Sequence, residues 1–176
     1  CDGNNDQCYG CTDPLADNYN PDATYDDTSC IGSPVVNADF IYAGEFEGNY
    51  YYLVYGDNFW HDAKIICENS SGHLATISSQ EENDFVSNIN PGVEMWIGLT
   101  DELQEGIFEW VDGSELTYAN WASNEPSNSG PTNNEDYVFL NTSEAQSDNY
   151  AGFWSDADDN LIERSYVLEI SLNGCV

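Results

Sequence analysis

Glu125, Glu135 and Asp136 lie in one stretch, Trp121–Asp136 (WASNEPSNSGPTNNED), among a crowd of Asn and Ser oxygens. Hard cations such as Ca²⁺ take roughly six to eight oxygen ligands from carboxylates, side-chain amides and backbone carbonyls, and this stretch supplies all three kinds. It is too polar to bury and too rich in Gly and Pro for a helix or strand, so it reads as a long functional loop. A solvated loop whose acids do nothing is the bland alternative, and only the flanking sequence separates the two.

That flanking sequence is a series of short elements. Asn49–Tyr55 (NYYYLVY) is aromatic and β-branched and predicts a strand closed by Gly56 and Asp57. A helix is expected from about Asn58 to Asn69, capped by Asp57 or Asn58. It places Trp60, Ala63, Ile66 and Cys67 on one face, with Gly72 as the left-handed residue beyond its end. His73–Ile77 (HLATI) predicts a short strand. Ser79 and Glu82 form a capping box that opens a second helix through about Ile89, ended by Pro91 and Gly92. Apolar runs then follow at Met95–Leu99, Gly106–Val111, Tyr137–Leu140, Gly152–Trp154 and Tyr166–Ile170. Two helices early and short strands late make an α+β domain.

Lys64 and Arg164 stand against 33 acids, giving a formal charge of −31 on 176 residues. Self-repulsion of that size destabilises a compact state unless salt or bound divalent cations relieve it. The same arithmetic excludes nucleic acid as a partner, because phosphate contacts need Lys and Arg, and it disfavours anionic membranes. No apolar run approaches the ~20 residues of a membrane span, and no apolar-cored leader opens the sequence. The expectation is therefore a removed signal or a piece of a longer, multi-module chain.

Of six cysteines, Cys1, Cys8, Cys11 and Cys30 fall in the first thirty residues, which points to disulfides and an extracellular setting. A zinc site is the weaker reading, since Cys1 and Cys30 are not spaced as a second pair and the segment holds no His. Residues 1–30 form a small Cys- and Asp-rich module with almost nothing apolar to bury, so crosslinks or metal must hold it. Its acids do not fit an EF-hand loop. Cys11–Cys30 and Cys1–Cys8 are the expected pairs, although four cysteines allow three connectivities. The pattern GCTDPLADNYNPDATYDDTSC resembles a short cysteine-bracketed module of marine bacterial surface proteins, which speaks to location and not to activity. Residues 31–48, with Gly32, Pro34, Gly44 and Gly48, read as a linker, and residues 49–176 as the larger domain.

From Asn49 to Ser171 the order of motifs resembles the C-type lectin-like domain: an aromatic strand, two helices, HLATI, WIGL, a Glu-Pro loop and an aromatic-Trp-x-Asp strand near the end. That resemblance implies paired terminal strands and a long loop region carrying Ca²⁺ and a ligand. The family's principal calcium site falls here on Glu125, Pro126, Ser127, Glu135, Ser155 and Asp156, with a cis peptide before Pro126. Ser127 and Ser155 replace amides that both ligate calcium and donate to sugar oxygens. An auxiliary calcium site falls on Asp101, Glu105, Asn128, Glu135 and Asp136, so Glu135 is expected to bridge the two. The family's disulfide from the first helix to the last strand has Cys67 in place but Leu168 at the partner position. Cys175 reaching Cys67, Cys175 opening a further module, and a buried free Cys67 all remain open.

His61 and His73 accompany no recognisable nucleophile motif, so no enzyme is expected. Trp121 and Trp154 adjoin strands and are expected in the core rather than as sugar-stacking platforms. What the resemblance implies is a calcium-dependent carbohydrate-binding or adhesion module of a secreted or surface protein. Its rival is a module in which calcium only orders the loops and a surface protein is the partner.

Overall fold

The computed structural model describes residues 8–27, 29–31, 39–90, 92–129, 134–141, 152–158 and 162–171. The N-terminal segment holds two short parallel strands, β1 (Tyr9–Gly10) and β2 (Tyr25–Asp26). The Cys11–Cys30 disulfide forms as expected. Cys8 is also disulfide-bonded, while Cys1 and Cys175 lie outside the described residues. The segment packs on the larger domain: the Tyr52 hydroxyl donates to Asp13 Oδ1 at 2.7 Å, and Leu15 lies against the core.

Part of the expected linker is strand. β3 (Phe40–Phe46) pairs antiparallel with β4 (Asn49–Asn58), which runs beyond the predicted Tyr55. Gly44 and Gly48 belong to the bulge and the turn of this hairpin rather than to a linker, both with positive φ. Because β4 extends to Asn58, helix α1 (Trp60–Asn69) is capped by Phe59 without a side-chain bond, and not by Asp57 or Asn58. The left-handed residue at its end is Ser71, with φ 62°. Gly72 is needed for a different reason, since a Cβ there would meet the Glu169 carbonyl at 2.3 Å.

After β5 (His73–Leu74), helix α2 (Gln80–Ser87) is capped by Ser79, whose side chain accepts from the Glu82 N–H at 3.1 Å. The Glu82 carboxylate reaches back one residue further than the capping box implies, to the Ser78 N–H at 2.7 Å, and also accepts from the Tyr51 hydroxyl at 2.6 Å. Then come β6 (Met95–Thr100), β7 (Glu109–Trp110), β8 (Tyr137–Leu140), β9 (Trp154–Ala157) and β10 (Arg164–Ser171).

The main sheet runs β3-β4-β10-β6-β8-β9, with β5 on β10 and β7 on β6. The expected pairing of first and last strands is the β4–β10 ladder, Tyr52 opposite Leu168. Every residue of β8 is buried, as are all of β10 but its last, so both strands have a core on each face, with Arg164, Ser165 and Glu169 buried among the apolar residues of β10. One core contains Trp60, Cys67, Trp96 and Leu168, and the other Ile77, Ile97, Trp110 and Trp154. Gly98 sits where a Cβ would come within 2.6 Å of the Leu74 carbonyl, which is why the WIGL strand carries glycine there. Cys67 is a buried free thiol, packed in the same core cluster as Leu168. Among the described residues no helix is long and apolar enough to cross a membrane.

Candidate functional site

β8 and β9 are antiparallel neighbours at the sheet edge, and the long loop before β8 folds back over β9. Both oxygens of Asp156 on β9 accept backbone N–H groups from that loop, Ser127 to Oδ1 at 2.9 Å and Asn128 to Oδ2 at 3.0 Å. Glu135 accepts from the Ser127 hydroxyl at 3.1 Å and the Ser129 N–H at 2.5 Å, while its own N–H donates to Asn128 Oδ1 at 3.0 Å. The Glu125–Pro126 peptide is cis, and Glu125 comes within hydrogen-bonding reach of Asp156. Burial first, and then the Asp156 carboxylate, push the Glu125 carboxyl up to about 8. Glu125, Ser127, Glu135 and Asp156 are thus one group.

Asp101 follows β6 directly and is 2% exposed. Its Oδ2 accepts the Gly106 N–H at 2.7 Å, closing the TDELQEG turn, and its own N–H donates to the Asp136 carbonyl at 3.2 Å. Burial, then the nearby charges of Glu105 and Asp136, raise its carboxyl to about 6 against the pull of the Gly106 N–H. Burial also raises Asp136, which Asn134 Nδ2 opposes by donating at 2.6 Å, and the charges of Glu105, Glu102 and Asp158 add to the rise.

A family model, Lectin C-type domain, matches residues 57–163. The chain belongs to the C-type lectin family. Mouse (Mus musculus) C-type lectin domain family 4 member F is 39% identical over 87 residues, covering 47% of the chain and 16% of that protein. Lectin BRA-3 of Megabalanus rosa is 32% identical over 133 residues, covering 74% of the chain and 76% of the lectin. Among solved structures, the cow CD23 carbohydrate-recognition domain, determined in the presence of a GlcNAc2Man3 oligosaccharide, superposes with a TM-score of 0.65. It has 32% identity and covers 78% of this chain and 96% of that one. The chain spans 16% of the length of the first of these relatives.

In this C-type lectin domain the residues named from sequence fall into two groups, one around Glu125 and Asp156 and one around Asp101 and Asp136. Among the described residues no three His, Cys, Asp or Glu side chains stand ready to hold a metal by themselves. Glu135 Oε2 accepts from Ser127 and Ser129, which places that oxygen with the Glu125 group. Asn128, assigned by resemblance to the auxiliary set, uses its N–H on Asp156 and its Oδ1 on Glu135. Ser155 is turned away, its hydroxyl accepting from Asn141 Nδ2 at 2.9 Å, because adjacent strand residues face opposite sides. Glu105 is exposed and reaches Asp101 and Asp136 only through its charge.

The donor chemistry nevertheless fits a hard cation. Four buried side-chain polar atoms lack a hydrogen-bond partner among the described residues, and two are Glu125 Oε2 and Asp101 Oδ1, one in each group. A buried carboxylate oxygen without a donor is costly, and calcium takes carboxylate, hydroxyl, amide and carbonyl oxygens together. Sequence reasoning missed Asp158, 6% exposed, whose charge bears on Asp136. No local pattern marked it, since Asp158 lies just beyond the end of β9 and meets Asp136 across a separation of 22 residues. Trp154 is fully buried and meets Trp110, Tyr118 and Trp121 edge to face, a core position as expected.

Proposed function

We propose that this domain is a calcium-dependent carbohydrate-binding module with Glu125, Ser127, Glu135 and Asp156 at the ligand-facing site. The observation that carries the reading is the buried, unpartnered Oε2 of Glu125 beside Asp156: a half-buried carboxylate brought against a buried one needs either a proton or a cation. Ca²⁺ binding is general among C-type lectin domains. When bound, calcium supplies coordination positions for sugar hydroxyls. The protein's part is to hold Asp156 by two loop amides, to aim Glu125, and to keep Ser127 and Glu135 on the same side. The Asp101, Asp136 and Asp158 group, with Glu105 at its rim, serves as an auxiliary loop-ordering site.

The family's relatives are lectins and receptors, which supports a non-enzymatic role. His61 contacts Glu102, and His73 contacts the Leu74 carbonyl and lies near Glu169, so both are accounted for structurally. The Cys11–Cys30 bridge supports an extracellular place for the module within a longer chain. A bacterial surface rests on the N-terminal pattern alone, the relatives named above being animal proteins. A glycan array probed with and without EDTA tests the reading. Sugar binding abolished by chelator is expected; binding to no sugar while calcium still raises stability would instead favour a module whose partner is a protein.

A further inference from the structure

Trp154 stands two residues before Asp156, and Ala122 three before Glu125, so whatever joins those backbone positions also sets how the two carboxylates meet. The join is direct. The Trp154 N–H donates to the Asn120 carbonyl at 2.8 Å, the Ala122 N–H donates to the Trp154 carbonyl at 2.8 Å, and the Glu125 N–H donates to the Ala122 carbonyl at 3.1 Å. Trp121 and Trp154 also form an isolated parallel bridge, with their indoles 5.8 Å apart. Trp154 therefore ties the chain that carries Glu125 to the strand that carries Asp156.

The residue that fixes Trp154 comes from α2, which contributes nothing to the proposed site. Trp154 Nε1–H donates to Asn83 Oδ1 at 2.7 Å, and Asn83 Nδ2 donates to the Gly152 carbonyl at 2.8 Å. Asn120 Nδ2 donates to that same carbonyl at 2.7 Å. Asn83 is 1% exposed, where packing alone would favour an apolar side chain, and a buried amide is tolerated there because both its ends are bonded. Gly152 has φ +83°, and a Cβ on it would come within 3.2 Å of Asn83 Nδ2, so a side chain there would be strained and would crowd that contact.

We infer that Asn83 is a positioning residue for the Glu125–Asp156 pair, acting through Trp154 and Gly152. Its geometry stands on its own; its consequence for ligand binding rests on the proposed metal site. Asn83→Leu removes both bonds at similar volume, Asn120→Ala removes only the second donor to Gly152, and Val86→Ala, a buried residue of the same helix, is the stability control. In metal-free protein, hydrogen exchange at the Ser127 and Asn128 amides that hold Asp156 is expected to speed up in Asn83→Leu. It should speed up less in Asn120→Ala, and not in Val86→Ala after correction for global stability. Calcium titration of Asn83→Leu is expected to show about tenfold weaker binding, the low end for an outer-shell partner. Unchanged exchange at both amides in Asn83→Leu and Asn120→Ala overturns the inference, as does equal acceleration in Val86→Ala. If Asn83→Leu does not fold, Asn120→Ala decides between the same outcomes. A wild-type protein that takes up no calcium sinks the proposed function instead, and the metal-free exchange data still decide the role of Asn83.

Discussion

The two acidic groups at the loop end of this domain are built from the same residue types and are held in opposite ways. Asp101 is secured within its own turn, by the N–H of Gly106 five residues on, and its carboxyl rises only to about 6. Asp156 is held by amides 29 and 28 residues away, and Glu125, brought against it, rises to about 8 with one oxygen unpartnered. The Asp101 turn is closed by that N–H without a cation, so calcium there would order the chain around the turn rather than the turn itself. A loop closed through distant carboxylates that repel one another depends on what neutralises them, so the Glu125 group is the one whose geometry a cation controls.

The largest expected effect follows from removing that cation. Calcium at about a hundred times its Kd stabilises the folded state by about 2.7 kcal/mol through mass action, which raises the melting temperature by about 5–10 °C for a chain of this length. Calorimetry with calcium and with EDTA measures it, and superimposable melts would remove the metal from the account. Next in size is the contrast between the groups. Glu125→Gln is expected to weaken calcium by more than the roughly 10–100-fold typical of an outer-shell change and to abolish sugar binding. Asp101→Asn should lower calcium uptake at one site while leaving sugar binding measurable. Equal losses from both variants, followed by titration calorimetry and glycan binding, would merge the two groups into one.

What the sequence made legible was whatever rests on local pattern. The strand Asn49–Tyr55, the Ser79 cap and the buried WIGL run declare themselves through aromatic and β-branched content, capping chemistry and continuous apolar residues, and each lies close to its expected place. The β3 strand did not, because Gly44 and Gly48 are turn signals whether they sit in a linker or in a bulged hairpin. The site was legible as a set of acids and not as an arrangement. Nothing in the spacing tells that the amides of Ser127 and Asn128 grip Asp156, that Ser155 turns to Asn141, or that the Ser127 hydroxyl reaches Glu135. Those are outcomes of strand pleat and loop closure across long separations. Asn83 was hidden for the same reason, a polar residue on a helix reading as solvent-facing until its two partners are seen.

The smallest expected effect discriminates the groups by pH. Burial and Asp156 raise the Glu125 carboxyl from 4.5 to about 8 in the metal-free fold. Between those values the folded protein binds a proton that the unfolded chain has lost, so stability falls as pH rises across the window. Asp101 acts with the same sign, but its window closes at about 6. The self-repulsion of a chain carrying −31 adds a slope of its own, shared by every variant, so only differences between variants carry information. With EDTA present, Glu125→Gln is expected to flatten the decline of melting temperature between about pH 6 and about pH 8, and Asp101→Asn to flatten it only below about pH 6. Saturating calcium should flatten the upper part in wild type too, since the ion takes the place of the shared proton. An upper slope that survives Glu125→Gln would mean that Glu125 and Asp156 do not confront each other in solution, and the contrast between the two groups would go with it.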